Sequence, residues 1–293
     1  MEIQKDVLVK ELNAVDKAIQ QVIITDFEAI TAYKPVVMHP VETEKELLHR
    51  GTINSITGTA GSRKTTFITG LVAETSHKRK ILWIDTEQTD QDIKYTHGKL
   101  ERLKADMKNI TFAAFMRNES EIKPLELLDI LIKKYSPGLI IMDNVTDFDD
   151  NSVLGIENAV TLTRKLSKLA KTNDNCILGV IHANETKTSD TAKGRGHIGS
   201  EFLRKSHVIM NVYIDAEINN VSYVEFKKNR TAFMKPFAFN VDEKNTPDFA
   251  EAQYTKNYEE KKKKGNDIEL KKATQEKKNK QVKTNKQGQI TLM

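Results

Sequence analysis

The chain has 293 residues, of which 38% are hydrophobic and 30% charged, with a formal net charge of +5. That length suits one large α/β domain with appendages, or two small domains. A single cysteine, Cys176, excludes an internal disulfide framework and a cysteine-built zinc site; no apolar stretch approaches the ~20 residues of a membrane span, and the charged start MEIQKDVLVKEL lacks an apolar signal core.

A cytoplasmic protein without membrane contact is therefore expected. Residues 1 to about 30 read as helix, with Val7, Leu8, Leu12, Val15, Ile19 and Val22 at three-to-four spacing. Pro35 and Pro40 then break the chain, Val36-Val37-Met38 suits an edge strand, and 41–52 reads as a lead-in. Ile53–Thr57 follows as a buried strand, and Phe67–Ala73 as a helix. Between them runs GTAGSRKTT: Gly58, Thr59, Ala60, Gly61, Ser62, Arg63, Lys64, Thr65 and Thr66. A glycine-rich turn between strand and helix directs backbone N–H groups and a positive dipole end at an anion, so these residues are the candidate ATP contacts. Lys64 suits the β- and γ-phosphates, and the Thr65 hydroxyl suits Mg²⁺. The motif wants glycine where Arg63 stands. An arginine fits there if its backbone angles are ordinary and its side chain points away, or toward an anion.

Lys80–Asp85 is an apolar run of strand length ending in Asp85-Thr86-Glu87-Gln88. Acids at the C-terminal end of a parallel strand sit where open α/β sheets bind ligands, and Glu87 is the candidate general base. Alternatively, Asp85 and Thr86 only cap the helix expected near 90–105. A short strand over 110–114 and a helix over 125–135 lead to Leu139–Asn144, four apolar residues closed by Asp143, 79 residues after Lys64. This reads as a strand buried on both faces whose terminal carboxylate faces Mg²⁺. Residues 145–154 read as a solvated acidic turn and 155–173 as an amphipathic helix. Cys176–Ile181 reads as another buried strand with an inert thiol, ending in His182, a candidate contact to the γ-phosphate. The loop 185–199 carries Lys187, Lys193, Arg195 and His197 among three glycines, which suits DNA phosphates.

A short helix over 200–206 precedes two strands, 207–213 and 220–226. The second runs into Lys227-Lys228-Asn229-Arg230, and a last strand is expected over 236–241. From 245 the character changes: 12 Lys stand against 5 acidic residues between Lys256 and Lys286, so the remainder of this +5 chain is slightly acidic. Such a stretch reads as a disordered basic tail.

The order of these motifs resembles the RecA-like ATPase core of RepA- and DnaB-type hexameric helicases and of RecA-type recombinases. WIDTEQ resembles the segment carrying their catalytic glutamate, LIIMDN the Walker B strand, GVIHANE the strand ending in a γ-phosphate sensor, and KKNR a trans-acting Lys-x-Arg pair. GTINSITGTAGSRKTTF looks closer still to RepA-like ATPases of Bacteroides-group mobile elements and phages, whose loop also reads SRKT. The resemblance implies an α/β RecA-like P-loop core over 48–244, with a mainly parallel sheet flanked by helices, a helical arm over 1–47 and a basic tail over 245–293. It implies a Mg²⁺-dependent ATPase acting on single-stranded DNA as a homo-oligomeric ring or filament, in replication, recombination or mobilisation. Glu87, Lys64 and His182 would be catalytic, with Lys228 and Arg230 supplied by a neighbouring subunit, and Thr65 and Asp143 would hold the metal. A recombination accessory, or an ATP-binding scaffold that does not hydrolyse, are the alternatives.

Overall fold

A computed structural model of the chain describes residues 32, 34–148, 156–183, 196–215 and 218–249. The N-terminal stretch read as helix, residues 184–195 of the basic loop and the tail beyond 249 lie outside the described residues.

The continuous apolar runs become the middle of a sheet because both of their faces are covered. In β4 (Ile81–Asp85) and β6 (Leu139–Asp143) every residue is buried. Ile81, Trp83, Leu139 and Ile141 point into one core, and Leu82, Ile84, Ile140 and Met142 into the other. The first core is closed by α1 (Lys64–Ser76) through Phe67, Ile68, Leu71 and Val72, and by Leu100 of α2 (Asp90–Arg102). The second is closed by α3 (Pro124–Tyr135), α4 (Ile156–Thr172) and α5 (Gly196–Lys205), through Leu128, Ile132, Leu162, Leu166 and Phe202.

Nine strands form the sheet, in the order β11-β10-β9-β8-β3-β7-β6-β4-β5. Here β3 is Ile53–Gly58, β5 Ile110–Ala114, β7 Cys176–His182, β8 Val208–Ile214, β9 Val221–Asn229, β10 Phe237–Val241 and β11 Pro247–Phe249. From β8 to β5 all neighbours are parallel, and β9, β10 and β11 extend the sheet antiparallel. Strand β7 is inserted between β3 and β6. Register then sets Gly58 beside His182 and Asp85 beside Asp143, at the C-terminal ends of the parallel strands.

Four local features depart from the sequence reading. The lead-in 41–52 contains β2 (Glu46–His49), which pairs antiparallel with β1 (Pro35–Met38) and buries Leu47 and Leu48 in the first core. Residues 145–148 are not a solvated turn: they form a 3-10 turn whose Val145 and Phe148 are buried. Residues 196–199, read as loop, open α5, which therefore carries His197. Past 245, where a tail was expected, β11 pairs with β10, and Phe249 contacts the rings of Phe67, Phe237 and Phe239. Few apolar residues mark β11; the phenylalanine cluster over α1 holds it.

Cys176 is fully buried, accepts from Asn54 Nδ2 at 3.2 Å, and burial pushes its thiol up to about 12, so it is inert as expected.

Gly179, midway along β7, lies under the 3-10 turn and α5. A Cβ there would come within 2.3 Å of Val145 Cγ2 and 2.8 Å of Phe202. Gly179→Ala is expected to lower stability by about 1–3 kcal/mol through overpacking. Chemical denaturation of the two proteins checks it, and an unchanged midpoint would contradict this packing.

Candidate nucleotide-binding site

The turn after β3 is shaped by two glycines. Gly61 takes a left-handed φ of 74°, and a Cβ on Gly58 would meet Ser62 Oγ at 2.3 Å and the Val212 carbonyl at 2.4 Å. Thr59 and Ala60 are exposed at the mouth of the turn, while Ser62 is buried, its Oγ without a partner among the described residues. Lys64, 6% exposed, folds back over the loop and donates to the carbonyls of Gly58 at 3.0 Å and Thr59 at 2.8 Å. Burial lowers its ammonium from the usual lysine range, and the charges of Asp143 and Glu87 act in the opposite sense. Thr66 is turned away from the mouth: its hydroxyl accepts from Lys99 Nζ at 3.1 Å, a lysine that burial lowers to about 8.

Arg63 meets half of its expectation. Its backbone is left-handed, at φ 69° and ψ 27°, not ordinary. Its side chain does point away. One guanidinium nitrogen donates to the Asn219 carbonyl at 2.5 Å, in the turn between β8 and β9, and another to Ser222 Oγ at 3.2 Å, at the start of β9. The loop thus keeps a conformation that glycine takes freely, and two hydrogen bonds offset a left-handed strain of about 1–2 kcal/mol.

The carboxylates gather at the ends of β4 and β6. Asp143, 6% exposed, accepts from Thr65 Oγ1 at 3.2 Å and from Gln88 Nε2 at 3.4 Å. Burial, with Asp85 adding to it, pushes its carboxyl up to about 7. Asp85 accepts from the backbone N–H groups of Glu87 at 3.1 Å and Gln88 at 2.7 Å. It therefore shapes the Glu87 turn and does not cap α2, whose N-cap is Thr89 in a capping box with Asp92. Thr86 ties the two strand ends together. Its N–H donates to the Asp143 carbonyl at 2.8 Å, and its hydroxyl donates to Asp147 at 2.9 Å.

Glu87 is held at both oxygens. Asn144 Nδ2 donates to one at 2.7 Å, and His182 Nε2 lies 3.3 Å from the other. The peptide between Asp143 and Asn144 is cis. Next to His182, the Ala183 N–H donates to the Gly58 carbonyl at 3.1 Å, so the end of β7 is fastened to the phosphate loop.

Structure therefore brings Lys64, Thr65, Glu87, Asp143 and His182 to one edge of the sheet. Lys228 and Arg230 do not join them. Register sets Lys228 opposite Ile209 near the start of β8, toward the opposite edge from Gly58. Its ammonium donates to the Arg204 carbonyl at 3.0 Å, and Arg230 is exposed. Of the candidate DNA contacts, Lys187, Lys193 and Arg195 lie outside the described residues, and His197 is exposed on α5. Sequence reasoning did not single out Asn144 and Gln88, which the structure bonds to Glu87 and Asp143. Asn144 had a signal, since a second polar residue directly follows the strand-end aspartate.

The arrangement fits a nucleotide with its metal. The left-handed turn, the lysine bonded only to loop carbonyls, and a threonine hydroxyl on a buried aspartate are the donors such a group needs. Among the described residues no group of three or more His, Cys, Asp or Glu side chains could hold a metal alone. A cation here would take Thr65, Asp143 and phosphate oxygens.

No family model matches the chain, and no curated protein does. Among solved structures, the ATPase domain of G40P matches with a TM-score of 0.59 at 13% identity, covering 83% of this chain and 99% of that one. The fold is RecA-like. At that identity the likeness carries architecture alone. The RecA-like frame is also common, with 727 solved chains matching, so it does not choose a substrate. No helix among the described residues is long and apolar enough to cross a membrane.

Two outcomes test this geometry. Arg63→Gly relieves the left-handed strain while Arg63→Ala does not, and both lose the bonds to Asn219 and Ser222. The glycine variant is expected to be more stable than the alanine variant by about 1 kcal/mol in denaturant titrations; equal stabilities would contradict it. Asp143 titrates near 7 when folded, against about 4 unfolded, so the folded chain holds the extra proton between those values. Stability then falls as pH rises through this window, and the deficit is complete above 7. Without nucleotide or divalent cation, Asp143→Asn should be more stable than the parent at pH 8, by on the order of a few kcal/mol, and the two should converge toward pH 4. A difference that ignores pH would refute the buried carboxylate.

Proposed function

We propose that the chain is a Mg²⁺-dependent ATPase of the RepA/DnaB type, related to those of Bacteroides-group mobile elements, working on DNA in the cytoplasm as a helicase-type motor. The observation that carries this reading is Glu87, whose carboxylate stands at the end of β4 bonded to Asn144 and His182, on the same sheet edge as Lys64, Thr65 and Asp143. A carboxylate there accepts a proton from, or orients, a water attacking the γ-phosphate of ATP. Lys64 would exchange the Gly58 and Thr59 carbonyls for phosphate oxygens. Thr65 and Asp143 would hold Mg²⁺, which when bound neutralises phosphate charge.

Glu87 has two present partners, one at each oxygen, and each oxygen keeps a further acceptor site for a water. His182 is one of them, and it leads directly into 184–195. That connection supports a coupling between hydrolysis and the basic residues Lys187, Lys193, Arg195 and His197, the proposed contacts to single-stranded DNA. Lys228 and Arg230 sit away from their own chain's phosphate loop. This supports their action on the nucleotide of an adjacent copy in a ring or filament, stabilising charge in the transition state. Replication, recombination or mobilisation of DNA is the process such a motor serves. An arginine in place of the motif's glycine is the feature that would favour a scaffold without turnover, and against it the Arg63 side chain is engaged at Asn219 and Ser222, away from the loop.

Phosphate release from ATP with Mg²⁺, measured with and without single-stranded DNA, tests the proposal beside Lys64→Ala and Glu87→Gln. DNA-stimulated turnover is expected in the parent. Each variant should lose it by at least about 100-fold, as removal of charge-stabilising or proton-accepting groups does. Turnover indifferent to DNA would refute the motor reading, and ATP binding without turnover in the folded parent would refute the catalytic one.

A further inference from the structure

The end of the domain opposite the phosphate loop has its own chemistry. An open cavity of about 400 Å³ lies where the chain enters β3, β4, β6 and β7, lined by Arg50, Lys78, Arg79, Lys80, Lys133 and Asp174, among others. Five of these six are cations. Asp174 is engaged by Arg50 at 2.8 Å, and Lys133 pairs with Asp129 outside the cavity. No carboxylate among the described residues pairs with Lys78, Arg79 or Lys80. The Arg79 stem lies over Gly138, 3.3–3.7 Å from where a Cβ would stand, which supports the guanidinium along the cavity wall. Arg50 Nε is a buried donor with no partner among the described residues.

Helix ends explain part of this. α1, α3 and α4 end beside the cavity, and cations there complement the negative ends of their dipoles. That effect fades within a turn, so it does not account for Lys80, four residues beyond the end of α1. Nor is the charge a general surface property. Outside residues 256–286 the chain is slightly acidic, so this cluster concentrates cations against the trend.

We propose that this cavity is a second nucleic-acid contact, holding a phosphodiester backbone between Arg50, Lys78, Arg79 and Lys80. A nucleic acid is favoured over an acidic protein because five cations face one carboxylate across an open cavity, as a chain of phosphates requires. Its apolar lining is limited to Ile132 and Pro137, both buried, whereas protein interfaces place exposed apolar anchors at their centre. The site extends the DNA-directed reading to the end of the domain opposite Lys64 and Glu87, and it needs neither ATP nor Glu87.

The test uses the full chain without nucleotide. Affinity for a fluorescent single strand and for a duplex is measured across a salt series, for the parent and for the variant carrying Lys78→Gln, Arg79→Gln and Lys80→Gln. Loss of three phosphate contacts should reduce the log–log salt slope by about 2 on the single strand or about 3 on the duplex. A photo-crosslinker on Lys80→Cys, with Cys176 buried and unreactive, should capture DNA, whereas one on Glu44→Cys should not. An unchanged slope without crosslinking overturns the site while leaving the motor reading intact. An unchanged slope with a lower melting temperature assigns the cations to the helix ends, and one with altered sedimentation assigns them to contact between copies. A parent that binds no DNA without nucleotide overturns the site and leaves the motor reading to the turnover measurement.

Discussion

A carboxylate kept almost out of water is the constraint on which this molecule turns. Asp143 ends a strand covered on both faces, and its burial holds the carboxyl near 7. Every nearby donor is arranged around that problem: Thr65 and Gln88 bond to it, and Lys64 lies close enough to feel its charge. Without a cation the grouping is under electrostatic stress. A divalent ion with its phosphates, as proposed above, would offset the burial and like charge that raise this carboxyl.

Sheet register is what makes the grouping possible. Strand β7 separates β3 from β6, so Gly58 and Asp143 belong to strands that do not touch. The gap is bridged above the sheet by Thr65 reaching Asp143 and by Ala183 reaching Gly58. Glu87 then reaches His182 across β6, a contact between residues 95 apart in sequence. A shift of one residue in any of these parallel pairings would turn the strand-end side chains to the other face and dissolve the cluster.

Most of this was legible in the sequence for a specific reason. A strand buried on both faces is usually continuously apolar, so β4, β6 and β7 announce themselves, and the first polar residue after each run marks the sheet edge. Asp143 and His182 stand at that place and Glu87 lies two residues past Asp85, whereas β3, with Asn54, Ser55 and Thr57 inside it, was legible from the glycine-rich turn that follows. What failed to show was held by contacts remote in sequence. β11 has little apolar signature and depends on the phenylalanine cluster over α1. Leu47 and Leu48 join the core only once β1 supplies their partner strand. Val145 and Phe148 were masked by their acidic neighbours. Arg63 was expected to keep ordinary backbone angles, as a non-glycine residue usually does, and the turn as a whole sets it left-handed instead.

The arginine in the phosphate loop has a mechanical meaning. Glycine at that position would be a free hinge. Arg63 is a tether: its guanidinium grips Asn219, in the turn of the β8–β9 hairpin, and Ser222, at the start of β9. The loop can change shape only by breaking that grip or by drawing the hairpin turn with it. A change of shape in the loop is thereby linked, through two hydrogen bonds, to the hairpin whose far end carries Lys228.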